Sequence, residues 1–161
     1  FDTVLSAIGV MFAPFHQPVA DELMRVTKGG GTIAVANWTP EGFIGQMFAA
    51  MKPYAAAPPP GASSPGPLWG TEGHVQQLFG DRVSSLTATR EICDVDRFAT
   101  GAEFRDFFKT YYGPTIAAYR NIADDPTKVA ELDQILADLG DRYVDGGHMP
   151  WEYLIVVATK A

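Results

Sequence analysis

Glu22-Leu-Met-Arg-Val-Thr-Lys-Gly-Gly-Gly31, followed directly by Thr32-Ile-Ala-Val-Ala-Asn-Trp38, joins a charged helical stretch to an apolar strand in one short step. Upstream of the glycines, Val19, Leu23, Met24 and Val26 fall near helical spacing with Asp21, Glu22 and Arg25 between them, the pattern of an amphipathic helix. The triple glycine is expected to stop that helix, because a helix C-terminus favours a residue at positive φ and several glycines permit a tight reversal. Working outward, Thr3-Val-Leu-Ser-Ala-Ile-Gly-Val-Met-Phe12 is a nearly unbroken apolar run, as required of a parallel strand covered by helices on both faces. Strand, helix and strand with short connections make a βαβ unit, whose crossover is almost always right-handed. The fold class is therefore α/β.

The rest of the chain extends this beginning. Thr39 reads as an N-cap and Pro40 as the first helical residue, with Phe43, Ile44, Met47, Phe48 and Met51 at helical spacing over residues 41–54. Residues 55–67 are rich in Pro, Gly and Ala and predict an exposed loop. A short helix is expected from Thr71 to Phe79, closed by Gly80, then a strand over Asp81–Val95 from the alternation of Val83, Leu86, Ala88 and Ile92. Helical patterns follow at Thr100–Asn121 and Lys128–Tyr143, and Trp151–Thr159 is the clearest strand, rich in β-branched and aromatic residues.

With 161 residues, 47% apolar and 19% charged, the chain has the profile of an ordinary folded domain. The formal charge of -7 argues against a nucleic-acid partner, since that affinity comes mainly from Lys and Arg neutralising phosphates. A single cysteine, Cys93, excludes an internal disulfide and suits a reducing cytoplasm. No apolar run has the length of a membrane span and the start Phe-Asp-Thr-Val lacks a signal peptide's basic region, so no membrane association is expected. Because residue 1 is Phe rather than Met, the chain is expected to be trimmed or cut from something longer.

Three stretches resemble the rear half of class I S-adenosylmethionine-dependent methyltransferases of the broad UbiE-like type 11. Phe1-Asp2 with the run ending in Ser6-Ala-Ile-Gly-Val-Met-Phe12 is similar to the fourth strand of that fold and the loop after it. Glu22 to Gly31 is similar to the family's E-x-x-R-V-x-K-P-G-G junction, with Gly29 in place of the proline. The last strand resembles the one that closes that sheet, running antiparallel beside the other late strands. The resemblance implies the C-terminal portion of a Rossmann-like methyltransferase sheet, parallel strands plus a closing antiparallel strand, with a helical insertion. The expected layout is one partial methyltransferase domain over 1–161: a βαβα unit at 1–54, a loop at 55–70, a strand with a helical substrate-side insertion at 71–149, and the closing strand at 150–161.

In that family a glycine-rich turn after the first strand and an acidic residue ending the second hold the cofactor, and neither stretch occurs here. Gly29-Gly30-Gly31 follows a helix rather than a strand, so it is read as a turn and not as a cofactor loop. The resemblance implies S-adenosyl-L-methionine as cofactor of the complete protein, with Ser6, Ala7, Ile8 and Met11 forming one wall of its site; Ala7, Ile8 and Met11 serve equally well as core or strand-end residues. At the carboxyl end of the second strand, Asn37, Trp38 and the opening Glu41-Gly42 are candidates for the acceptor pocket, the edge where such sheets place ligands. Phe108 and Tyr112 join them from the aromatic set Phe104, Phe107, Phe108, Tyr111 and Tyr112, whose alternative role is a core or lid stripe.

Methyl transfer is an in-line displacement helped by holding acceptor and methyl in near-attack geometry, and a base is optional. His16 is the candidate general base, with an exposed turn histidine as its alternative; His74 and His148 rank behind it. The histidines lack neighbours at ligand spacing, so no metal is expected. The function expected is a fragment of a methyltransferase acting on a small-molecule acceptor, inactive alone. The alternative is a non-catalytic ligand- or protein-binding α/β module that self-associates through its sheet edge as a homodimer or strand-exchanged oligomer. A dehydrogenase-type enzyme is disfavoured by the closing antiparallel strand and the Glu22–Gly31 junction.

Overall fold

In the computed structural model, which describes residues 1–62 and 66–161, the sheet is organised around a seven-residue strand rich in β-branched and small residues. The strands are β1 (Thr3–Ala7), β2 (Thr32–Trp38), β3 (Val83–Val95) and β4 (Met149–Lys160). β2 alternates strictly: Ile33, Val35 and Asn37 are buried, while Thr32, Ala34, Ala36 and Trp38 are half-buried on the opposite face. β1 lies parallel to β2, with Thr3 opposite Thr32 and Ala7 opposite Ala36. β4 lies antiparallel on its other side, with Thr32 opposite Thr159 and Trp38 opposite Tyr153. β3 completes the order β1-β2-β4-β3. Its contacts with β4 run in opposite senses: the amide of Ala161 donates to the carbonyl of Arg82, and the hydroxyls of Ser84 and Thr87 donate to the carbonyls of Thr159 and Val157. The mixed α/β sheet read from the sequence, parallel strands plus a closing antiparallel one, is the sheet that forms.

The first apolar run departs from expectation. β1 stops at Ala7, Ile8 turns to φ +58, and Val10–Phe12 form a 3-10 turn. Its side chains are exposed or half-buried, with Leu5 73% exposed. The reason is position: β1 is an edge strand, and among the described residues no strand covers its outer side. Apolar composition reports a strand's suitability for burial, and the sheet decides how much burial it receives.

The first helix, α1 (His16–Val26), also ends differently. The stop is Thr27, in extended conformation, whose amide and hydroxyl both donate to the carbonyl of Leu23 at 3.2 and 2.7 Å. Lys160, at the end of β4, donates from Nζ to the carbonyls of Met24 and Thr27, both at 2.8 Å, satisfying acceptors that a helix end leaves open. The glycines make the turn that follows, with Gly30 at φ +74 and the amide of Gly31 donating to the carbonyl of Lys28.

By contact the chain divides into two compact units, Phe1–Gly42 with Pro58–Ile92 and Glu152–Ala161, and Phe43–Ala57 with Cys93–Trp151. The division falls at Gly42, so by contact α2 (Phe43–Met51) groups with the second unit. In the first unit, Ala20, Leu23 and Met24 of α1, Ile33 and Val35 of β2, and Val75, Leu78 and Phe79 of α3 (Glu72–Phe79) form the core. Within the stretch read as an exposed loop, Ser63, Ser64 and Pro65 lie outside the described residues; Gly66–Gly70 is a 3-10 turn that buries Trp69 completely. Burying a large aromatic outweighs the local tendency of Pro and Gly toward open loop.

The second unit is helical, with α4 (Gly101–Tyr111), α5 (Gly113–Asn121) and α6 (Pro126–Tyr143). The single pattern over Thr100–Asn121 becomes two helices at Tyr112, which is extended, and Pro114 beyond it lacks the amide that would continue the hydrogen-bond ladder of α4. α4 and α6 meet at Gly101, where a Cβ would lie 1.9 Å from the carbonyl oxygen of Ala137. Among the described residues no helix is long and apolar enough to cross a membrane.

Candidate functional site

Because β1 and β2 are parallel, their carboxyl ends share one edge of the sheet in the first unit, the edge at which open α/β sheets place ligands. At the end of β1 the amide of Ile8 donates to the carbonyl of Ala36 at 2.8 Å, continuing the ladder by one bond while its φ is +58. A β-branched residue at positive φ costs roughly 1–3 kcal/mol and is a recurrent mark of functional segments. The hydroxyl of Ser6 accepts from the amide of Val10 at 3.2 Å and so holds the following turn. Ala7 and Ile8 are at the open rim, whereas Met11 is buried, with Gly66 against its carbonyl, where a Cβ would come within 2.4 Å. The predicted cofactor wall is thus open at Ala7 and Ile8 and closed at Met11.

At the end of β2, Asn37 and Trp38 point to opposite faces of the sheet. Trp38 is half-buried and meets Tyr153 edge-on with ring centres 6.1 Å apart. Asn37 is completely buried, and neither its amide nitrogen nor its carbonyl oxygen has a hydrogen-bond partner. Leaving a buried polar group unmatched costs about 1–3 kcal/mol. Gly70 lies over the end of the strand, where a Cβ would fall 2.1 Å from the carbonyl oxygen of Trp38.

Beside them is a polar cluster. Thr39 donates from Oγ1 to Glu152 Oε1 at 2.7 Å and accepts from the amide of Gly42 at 3.1 Å. The guanidinium of Arg90 bridges Glu152 at 2.7 Å and Glu41 at 3.3 Å. Glu41 and Gly42, candidates from the sequence, are therefore held within this network.

His16, at the start of α1, is completely buried, which overturns its alternative as an exposed turn residue. Its Nδ1 lies 2.9 Å from Nε2 of His74 on α3, and the ring of Trp69 is 5.7 Å away, centre to centre. Burial, and then the charge of His74, lowers the pKa of His16; burial lowers that of His74. Both imidazoles are thereby biased toward the neutral form, the form a base requires. Residues 58 positions apart become one hydrogen-bonded pair that no local pattern announces.

The remaining candidates belong to the second unit. Phe108 is buried among Phe104 at 4.3 Å, Tyr112 at 4.8 Å and Trp151 at 5.8 Å between ring centres, and burial pushes the Tyr112 phenol up to about 12. His148 forms an exposed pair with Asp94 at 2.9 Å. Among the described residues no group of three or more His, Cys, Asp or Glu is arranged to hold a metal. Sequence reasoning missed Trp69, Arg90 and Glu152; for Trp69 the signal was a large aromatic inside a Pro/Gly-rich stretch.

No protein-family model matches the chain. It is 50% identical over 164 residues to "Uncharacterized protein Rv1405c" of Mycobacterium tuberculosis (strain ATCC 25618 / H37Rv), which covers 99% of this chain and 58% of the relative. It is 51% identical over 160 residues to "Uncharacterized protein Rv1403c" of the same strain, with the same coverage. The chain thus spans 58% of the length of these curated relatives. Among solved structures it is similar to BH2331 of Bacillus halodurans C-125, provisionally named a methyltransferase, with TM-score 0.49, 15% identity, and coverage of 99% of this chain and 64% of that one. It is also similar to the MccD protein, with TM-score 0.47 and 15% identity over 100% of this chain and 61% of that one. At these scores the fold rests on the strand order and sense described above.

Proposed function

We propose that this chain is the late half of the sheet of an S-adenosylmethionine-dependent methyltransferase that acts on a small molecule, with most of the cofactor site contributed from outside these residues. The observation that carries it is the order β1-β2-β4-β3 with β4 antiparallel to β2, joined to the Glu22–Gly31 junction that resembles this family. Ser6, Ala7 and Ile8 would form one wall for the cofactor, a partial fit, since the glycine-rich turn and the acidic residue of such sites are not in the sequence. When bound, the cofactor supplies the methyl group; this chain's residues orient the acceptor and exclude water around it. Asn37 is assigned to the acceptor pocket. His16, neutral and paired to His74, is assigned as a base for acceptors that must lose a proton.

The test is calorimetric titration with S-adenosylhomocysteine of this chain and of the full-length M. tuberculosis relative. Weak or absent binding by the chain and clear binding by the relative are expected; no binding by the relative would refute the methyltransferase assignment. A second possibility, self-association through β1, is favoured by the exposure of Leu5 on an edge strand. Light scattering at high concentration checks it, and a monomer rules it out.

A further inference from the structure

Ile33, Val35 and Asn37 occupy one face of β2, and across the antiparallel ladder Leu154, Val156 and Ala158 stand opposite them. All six are buried, and five are aliphatic. A valine or leucine at position 37 would complete that surface. Asparagine instead brings a donor and an acceptor into it, neither engaged, at the ligand-bearing edge of the sheet. Nearby, the Gly66–Gly70 turn covers the end of β2, and within it Trp69 Nε1 is a buried donor also without a partner.

From this contrast we infer that Asn37 reads the acceptor, which presents a planar carboxamide or lactam whose adjacent donor and acceptor match the asparagine side chain. A carboxamide edge pairs with such a group through two hydrogen bonds, and an apolar analogue of the same shape leaves both asparagine atoms unmatched. The inference rests on the small-molecule assignment above and names the polar group of its substrate.

Asn37→Leu separates the outcomes. Thermal unfolding of wild type and variant is measured with and without 2-pyridone or nicotinamide, with toluene as apolar control, and probe affinity is followed by ligand-observed NMR. Expected are a higher unfolding midpoint for the unliganded variant, a probe-induced rise only in the wild type, and at least about tenfold weaker probe binding by the variant. A lower midpoint for Asn37→Leu would mean that the asparagine is satisfied internally and overturns the inference. Equal probe binding by both proteins, or no probe binding by the wild type, overturns it as well. S-adenosylhomocysteine titration of the full-length relative fails or succeeds independently: failure there with selective probe binding here removes the methyltransferase and leaves the Asn37 site.

Discussion

The two units engage their polar side chains differently. In the helical unit Asp133 gathers Lys109 Nζ at 2.7 Å and the Tyr119 hydroxyl at 2.6 Å, Asp141 accepts from the amide of Gly101 at 2.6 Å, and Asn121 donates to the carbonyl of Tyr54 at 2.9 Å. Thr115 departs from this pattern, its hydroxyl buried without a partner. In the sheet unit Asn37, Trp69 and Thr71 all keep unmatched polar atoms, and Ile8 is held at positive φ, within segments at the carboxyl edge or covering it. Satisfied networks fasten elements together, whereas unsatisfied groups and strained backbone carry a cost that persists where function uses it. The unmatched groups of the sheet unit lie at the edge where the acceptor site is proposed.

The largest expected effect is on the scaffold. Burial raises the pKa of Asp133, but hydrogen bonds from Lys109 and Tyr119 outweigh it and hold the carboxylate below its usual range. Asp133→Ala should destabilise the protein by about 2 kcal/mol in chemical unfolding, since hydrogen bonds to charged groups are worth roughly 1.5–3 kcal/mol. A neutral result would erase the contrast between the units.

An intermediate effect is expected at the histidine pair. Both pKa values are lowered on folding, so the unfolded chain binds protons first. Stability should be full above about pH 6.5, the ordinary histidine value, and decline as pH falls below it until the folded pair also titrates. His74→Gln should flatten this decline in unfolding midpoints measured from pH 7.5 to 5. An unchanged slope would place the acid sensitivity elsewhere. The smallest effect is expected at the sheet edge, where Leu5→Asp should shift stability by no more than about 0.5 kcal/mol, because Leu5 is largely in solvent. A large loss would show that β1 is covered in solution.

Much of the fold was legible in local pattern. β2 occupies Thr32–Trp38 as its composition required, α3 is closed by Gly80 at φ +59, and β4 extends the predicted strand by two residues at its start and one at its end. Thr71 heads α3, yet its hydroxyl makes no capping bond, because a cap residue type does not fix its rotamer. Less of the candidate site was visible. Asn37 was a candidate from its place at a strand end, but its burial and unmatched atoms follow from what packs around it in the folded chain. His16 and His74 were separate weak signals until α1 and α3 packed.

The sequence by itself determined the βαβ beginning, the closing strand and the helical character of the second half, since periodicity and turn chemistry act over a few residues. Only the tertiary structure decided that the first apolar run is an exposed edge strand, that a Pro/Gly-rich stretch anchors Trp69 in a core, and that two distant histidines share one hydrogen bond. These depend on which elements become neighbours, and burial, unmatched polarity and shifted pKa values are properties of neighbours.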